Sequence, residues 1–314
     1  MKKQLILVFG GLGFIGKYFV RSALVAGHEI INVDKLTYAA DKLIQREFYD
    51  YKTYTFIHES LNSISHMPEC DLIINFAAES HVDNSIRSSK IFFESNVMGL
   101  HNILEYWRNV DHTMRPRFIH VSTDEVYGDS PSDEIFDESS LLRPSNPYSA
   151  SKASGDLIIR SYCRTYGATD ITIVRMSNNY GCRQYPEKLI PRSISRLLHG
   201  KNILIHGDGS ARRRWLYVED TIDALWTLIG ASELEPVYNI SADEEFAVRE
   251  VADLILSELD LPGSRVSYCE NRPGQDVRYR IDDHRIRALG WAPKTKMKEV
   301  MRRMIDMQIQ YPAW

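Results

Sequence analysis

Three glycines at fixed spacing constrain this chain more than any other feature. Gly10, Gly13 and Gly16 stand between a uniformly apolar run, Leu5 to Phe9, and a stretch of helical periodicity from Ile15 to Ala26. A short apolar run of that kind suits a central parallel strand covered on both faces. Glycine at the turn permits a tight bend and close backbone approach, and the helix beginning there offers unpaired N–H groups and a positive dipole to a pyrophosphate. The triplet alone is also compatible with a plain strand-to-helix turn. Asp34 narrows the choice, because it ends a second strand-like run, Glu29 to Val33, where a carboxylate can accept from a ribose 2′-hydroxyl. Its charge would repel a 2′-phosphate, which favours NAD over NADP. The competing reading of Asp34 is an ordinary polar strand end.

Further strand-like runs, Asp71 to Phe76, Arg117 to Ser122 and Ile171 to Arg175, alternate with helix-like stretches. This β-α-β alternation predicts an α/β fold, a Rossmann-like doubly wound parallel sheet. Past residue 178 the pattern breaks into shorter elements with turn signals at Gly207-Asp208-Gly209, Pro236 and Arg272-Pro273-Gly274. We therefore expect an NAD-binding domain over 1–177 and a smaller C-terminal α/β substrate-binding lobe over 178–314, with 213–232 packing back on the first. A chain of 314 residues with 44% hydrophobic content can bury two such lobes. The net charge of -4, with both signs mixed along the chain, argues against nucleic acid as a partner. Apolar runs fall short of the roughly 20 residues that span a bilayer, so no membrane association is expected. Cys70, Cys163, Cys182 and Cys269 show neither a disulfide framework nor metal-ligand spacing. The start of the chain runs from an apolar stretch into the glycine turn without a cleavage-site pattern. A cytoplasmic location is expected.

Two clusters carry the candidate chemistry. Tyr148 and Lys152 lie four apart in a helix-like segment, Ser149 to Arg160, so both side chains share one face. An ammonium beside a phenol favours the phenolate, which would let the tyrosine act as a base at neutral pH. Alone, such a pair usually marks a solvated helix face. Thr123-Asp124-Glu125 follows the strand-like run Phe118 to Ser122, at a carboxyl end where open α/β sheets place their ligands. Two adjacent carboxyl groups there can divide acid and base work, or can simply cap the next segment.

Over nearly its full length the chain resembles the dTDP-glucose 4,6-dehydratases. The resemblance is carried by GGLGFIG (10 to 16), VDKLTYA (33 to 39), AAESHVDNSI (77 to 86), STDEVYG (122 to 128), YSASKAS (148 to 154), SNNYG (177 to 181), PEKLIP (186 to 191), WLYVED (215 to 220) and RPG (272 to 274). It implies that Tyr148 takes the C4 hydroxyl proton while hydride passes to NAD. Glu125 then removes the C5 proton, Asp124 protonates the leaving C6 hydroxyl, and hydride returns to C6. Thr123 would bond the C4 oxygen, and Lys152 would hold the cofactor ribose and lower the Tyr148 pKa. Phe14, Ile15, Lys35, Leu36, Thr37, Ala77, Ala78, Ser80, Ser95 and Asn179 would line NAD together with the glycines. Asn178, Lys188, Leu189, Arg213, Asn239 and Arg272 would meet a nucleotide-diphosphate hexose, with the Arg213 guanidinium gripping the diphosphate. Arg212 and Arg214 are expected to be solvated or structural.

Some positions depart from that pattern. Phe9 replaces a threonine, Ser60-Leu61 replaces an Asp-Ile pair at the adenine, and Asn271 and Gln275 replace Asp and His in the expected substrate pocket. UDP-glucose and UDP-N-acetylglucosamine therefore stand as alternative substrates. A C4 epimerase would use Tyr148 and Lys152 without needing Asp124, and a non-catalytic NAD sensor would need neither carboxyl. The resemblance also implies a homodimer through helices such as Ser88 to Arg108 and Ser149 to Tyr166, with Phe92, Phe93, Leu100, Ile158 and Tyr162 as candidate packing residues.

Overall fold

The computed structural model describes residues 2–64, 66–130 and 134–311. The first six strands are β1 (Leu5–Phe9), β2 (Glu29–Asp34), β3 (Tyr54–His58), β4 (Leu72–Asn75), β5 (Arg117–Thr123) and β6 (Ile171–Met176). They are followed by β7 (Asn178–Tyr180), β8 (Ile203–His206), β9 (Arg212–Tyr217), β10 (Val237–Ile240), β11 (Glu245–Ala247) and β12 (Val266–Cys269). Seven of them form one sheet in the order β10-β6-β5-β4-β1-β2-β3, parallel throughout. The chain winds outward from β1 to β3, then restarts at β4 on the other side of β1. That reversal opens a crevice at the carboxyl ends of β1 and β4, the usual ligand position in such sheets.

Burial explains the register. Ile6, Leu7, Val8 and Phe9 of β1 are fully buried, so the strand has no polar face to alternate with, as a parallel strand covered on both sides requires. On one side, helices Phe14–Val25 and Val218–Gly230 pack together over Val20, Leu225 and Leu228. Trp226 stacks on Phe19 at 5.2 Å, and its indole N–H donates to Ser22 Oγ. On the other side, Gly99–Asn109 and Pro147–Tyr166 cover Leu7, Ile73, Phe118 and Ile173.

A separate core around Ile194, Trp215, Ile255 and Met301 holds together β7, β8, β9, β11, β12 and the later helices. Beyond residue 178 the chain returns once more to the large sheet. β10, placed by sequence in the smaller lobe, is the outer strand of the large sheet, with Val237 opposite Ile173 and Ile240 opposite Met176. Its four residues are all buried.

The candidate dimer residues also need correction. Phe92 and Leu100 are each 1% exposed within the single chain and Tyr162 is 8% exposed, so they serve the chain's own core. Their helices do carry exposed apolar side chains, including Ile91, Phe93, Met98 and Leu157. Among the described residues, no helix is long and apolar enough to cross a membrane.

Candidate active site

The glycine turn forms the floor of the first cleft. Gly10 has φ +75, and a Cβ there would lie 2.6 Å from the Ala77 backbone nitrogen. A Cβ on Gly16 would lie 2.3 Å from the Gly10 carbonyl oxygen. These contacts leave no room for a side chain, so the turn and helix can come close only with glycine. No side chain caps the helix beginning at Phe14, and its first turn contains no acid, which leaves its N-terminal N–H groups for an anion. At the end of β2, Asp34 Oδ2 accepts from Leu12 N at 3.0 Å and Oδ1 from Leu36 N at 2.8 Å. Burial pushes its carboxyl above the usual range, while these two bonds oppose the shift. Two lone pairs are thus used to orient the carboxylate, and others remain for a ribose diol. The cradle fits a dinucleotide such as NAD.

Gly10, Gly13, Phe14, Ile15, Gly16, Asp34, Lys35, Thr37, Ala77, Ala78, Ser80, Ser95 and Asn179 all line this cleft. Leu36 does not. It has φ +55, a left-handed conformation that turns its side chain onto the hydrophobic core. Ser60 and Leu61 also line the cleft. Ser95 sits in a π-helical turn, Glu94–Met98, and the next residue, Asn96, is one that the sequence does not single out. Asn96 accepts from Glu79 N and donates to Glu79 O and Ser151 Oγ, tying the cleft wall to the helix that carries Tyr148. One-turn π bulges commonly occur at functional sites, but a lone asparagine in a helical pattern gives no sequence signal for one.

The acid-base cluster joins the same cleft. Asn146 caps helix Pro147–Tyr166 reciprocally with Ser149, and the helix extends across both ends of the predicted segment. Tyr148, Lys152, Thr123, Asp124 and Glu125 all line the cleft. Thr123 ends β5, and its Oγ1 accepts from Glu125 N at 3.3 Å, starting the tight turn Asp124–Tyr127. Asp124 is 3% exposed, and burial followed by the neighbouring Glu125 charge pushes its carboxyl up to about 8. Burial also raises Glu125, while Arg213 and Lys188 pull it back. Asp124 is therefore the member of the pair held protonated near neutrality.

The electrostatics of the protein alone differ from one expectation. Tyr148 is pushed above its ordinary value by burial and then by Glu125, with Thr123 pulling weakly the other way. The Lys152 ammonium is itself depressed by burial, to about 8, and its Nζ donates to Val121 O at 2.7 Å. In the protein alone, Lys152 therefore does not produce the expected drop in the phenol pKa.

A second cleft opens from the first, sharing Ser80, Glu125, Asn178, Asn179, Glu187 and Lys188 with it. Leu189, Arg213, Arg272 and Gln275 line its walls. Arg213 stacks over Tyr279 at 4.2 Å and donates to Asp276 O at 2.8 Å. Arg272 pairs with Asp83 at 2.9 Å, and Lys188 donates to Ser80 O at 2.6 Å. The buried Asn178 Oδ1 has no hydrogen-bond partner among the described residues. Arg212 pairs with Glu245 and Glu250, and Arg214 donates to Ile281 O, so the flanking arginines are structural.

Two sequence expectations fail here. Asn239 is 0% exposed and lines neither cleft. It accepts from Tyr127 Oη and donates to Asp282 O, which closes the outer strand onto the following loops. Asn271 likewise lies outside the cleft lining and packs over Gly207. Of the two departures placed in the substrate pocket, only Gln275 is there.

A family model described as GDP-mannose 4,6 dehydratase matches residues 7–304. The dTDP-glucose 4,6-dehydratase 1 of Escherichia coli strain K12 is 38% identical, covering 98% of this chain and 94% of its own length. A trifunctional Arabidopsis thaliana protein whose name begins with UDP-glucose 4,6-dehydratase is also 38% identical, covering 100% of this chain and 48% of its own. A dTDP-glucose 4,6-dehydratase from Streptomyces venezuelae, solved with NAD bound, has a TM-score of 0.93 at 35% identity, with 99% and 98% of the two chains covered. Likeness of this extent, over nearly the full length of the chain, means that the chain belongs to the dTDP-glucose 4,6-dehydratase family and is an NAD-dependent enzyme.

Proposed function

We propose that the protein converts dTDP-glucose to dTDP-4-keto-6-deoxyglucose and water. The observation that carries this reading is the pairing of a carboxyl held protonated near neutral pH, Asp124, with a second carboxyl, Glu125, beside Thr123 and in the same cleft as Tyr148. An epimerase has no leaving hydroxyl to protonate and no use for the first of these. When bound, NAD supplies a hydride acceptor and donor, together with the positive charge of its oxidised ring.

Tyr148, in the first cleft, removes the C4 hydroxyl proton, and Thr123 orients the C4 oxygen. The C4 ketone acidifies the C5 proton, which passes to Glu125. Asp124 delivers its proton to the departing C6 hydroxyl, releasing water. Asp34 and the glycine turn hold the cofactor, with Lys152 at its ribose. Arg213, Arg272 and Lys188 receive the nucleotide-diphosphate sugar, the first two through planar guanidinium groups suited to phosphate oxygens.

UDP-glucose is the second reading, favoured by the equal identity to the Arabidopsis protein. A homodimer through the exposed apolar faces of the helices bearing Phe93 and Leu157 completes the proposal. The four free cysteines fit a cytoplasmic setting. Incubating the enzyme with dTDP-glucose deuterated at C4 should give a 4-keto-6-deoxy product labelled at C6. Label retained at C4, or a product that keeps its C6 hydroxyl, would overturn the dehydratase assignment. Competition between dTDP-glucose and UDP-glucose decides the base.

A further inference from the structure

His120 is buried beneath Lys152 and takes no part in the chemistry described above. It sits on β5, 1% exposed, with Nε2 3.4 Å from Lys152 Nζ and Nδ1 3.2 Å from Asn75 Nδ2. The hydrogen-bond network assigns its proton. Ala77 N–H can only donate, and it donates to Asn75 Oδ1 at 3.0 Å, which makes the other end of that amide the NH2 group. The NH2 group can only donate to His120 Nδ1, so Nδ1 carries no proton. Burial holds the imidazole well below its ordinary pKa, with the Lys152 charge adding to the effect. A neutral ring with a bare Nδ1 carries its proton on Nε2, the nitrogen facing the lysine.

We propose that His120, locked by Asn75 as its Nε2–H tautomer, is a positioning residue that presents a donor to the Lys152 amine and so poises the lysine between its charged and neutral forms. An ammonium group has only N–H bonds to offer, and one already points to Val121 O. Facing an imidazole N–H, it meets another donor where an acceptor would have stabilised its charge. The neutral amine instead turns a lone pair toward that N–H. The opposing influence is the Asp156 carboxylate on Lys152's own helix, which raises the lysine and is shared with Arg175 at 2.8 Å. Tyr148, on the same helix, feels the charges of Glu125, Asp124 and Asp156 in turn. Asn75 and His120 stand opposite each other on adjacent strands β4 and β5, so the sheet register itself brings the relay under the lysine. The facing N–H thus offsets the pull of Asp156 on the lysine proton.

This inference rests on the reading of Tyr148 and Lys152 as the acid-base pair, but its test does not depend on turnover. In the NAD-loaded enzyme, 15N NMR of labelled histidine should show His120 neutral and protonated at Nε2 at pH 7. Protonation at Nδ1, or on both nitrogens, would overturn the proposal even if dehydration proceeds normally. In His120→Phe, which removes the facing N–H while keeping a planar ring, the Lys152 titration should move upward by about one pH unit. It can be followed through 13Cε of labelled lysine and assigned by its loss in Lys152→Met. A midpoint that stays in place or falls would reduce His120 to packing and sink the idea. If His120→Phe does not fold, the tautomer measurement on the unaltered protein still decides the matter.

Discussion

The two clefts are built by different means. The cofactor cleft is shaped mainly by backbone: glycine Cα atoms, an uncapped helix start and a carboxylate fixed by two N–H groups. The substrate cleft is shaped by long side chains that already have partners in the chain, Arg213 on Asp276 O, Arg272 on Asp83 and Lys188 on Ser80 O. A backbone-built site tolerates few residues at few positions. A side-chain-built site can be assembled by many sequences and must exchange or share bonds when its ligand arrives. The catalytic cluster lines the first cleft and reaches the junction with the second through Glu125, and mutations should separate the three regions by size and kind of effect.

The largest loss is expected in the catalytic cluster. Tyr148→Phe should lower turnover roughly 10³- to 10⁴-fold with bound NAD retained, and should abolish exchange of the C5 proton with solvent. Asp124→Asn should cost about 10²- to 10³-fold, since an amide cannot give a proton to the leaving hydroxyl. That variant should still exchange C5 through Glu125, whereas Glu125→Gln should not. Equal exchange in the two variants, followed by NMR in D2O, would break the division of acid and base between them.

In the cofactor cleft, Gly16→Ala forces a Cβ against the Gly10 carbonyl. Strain of about 1–3 kcal/mol should weaken NAD roughly 10- to 100-fold, read by calorimetry, with little effect on nucleotide-sugar binding. Arg213→Lys is the matched change in the substrate cleft. It keeps the charge and loses the planar fork over Tyr279, so KM should rise about tenfold with NAD affinity unchanged. If Arg213→Lys weakened NAD as strongly as Gly16→Ala does, the two clefts would not be separate constructions.

Legibility in the sequence follows the same division. The glycine turn, Asp34, Thr123-Asp124-Glu125 and the Tyr148/Lys152 pair are local patterns at strand ends or on one helix face, and the structure gathers them into one cleft. Leu36 escapes such a reading because a single left-handed residue reverses the direction of its side chain. Asn239 escapes it because β10 returns from the second lobe to edge the large sheet, burying its asparagine against Tyr127. Asn96 and His120 act through partners far away in sequence, Ser151 and Asn75, and neither has a spacing that announces it. Phe92 is similar: its ring packs edge-on to Tyr148 at 6.4 Å, a contact no periodicity distinguishes from a surface for another subunit.

The smallest effect expected is on stability, and it too separates the catalytic cluster from its surroundings. Asp124 titrates near 3.8 when unperturbed and at about 8 in the fold. Between those values the folded protein holds a proton that the unfolded chain has released, so stability declines as pH rises through that window. Below about pH 4 both states are protonated and the penalty vanishes; above about pH 8 it is fully developed. The amide that Asp124→Asn introduces has no proton to lose, so the variant should gain stability relative to the wild type as pH rises from about 5 to about 8. A shift of a few degrees in relative Tm is expected for a domain of this size. The inactive variant should therefore be the more stable protein at about pH 8, as expected where a carboxyl is kept buried for its chemistry rather than for folding. Thermal melts of both proteins with NAD held at one concentration would test this, and a difference in Tm that is flat across that range would mean that Asp124 is ionised in the resting fold and is not the stored acid.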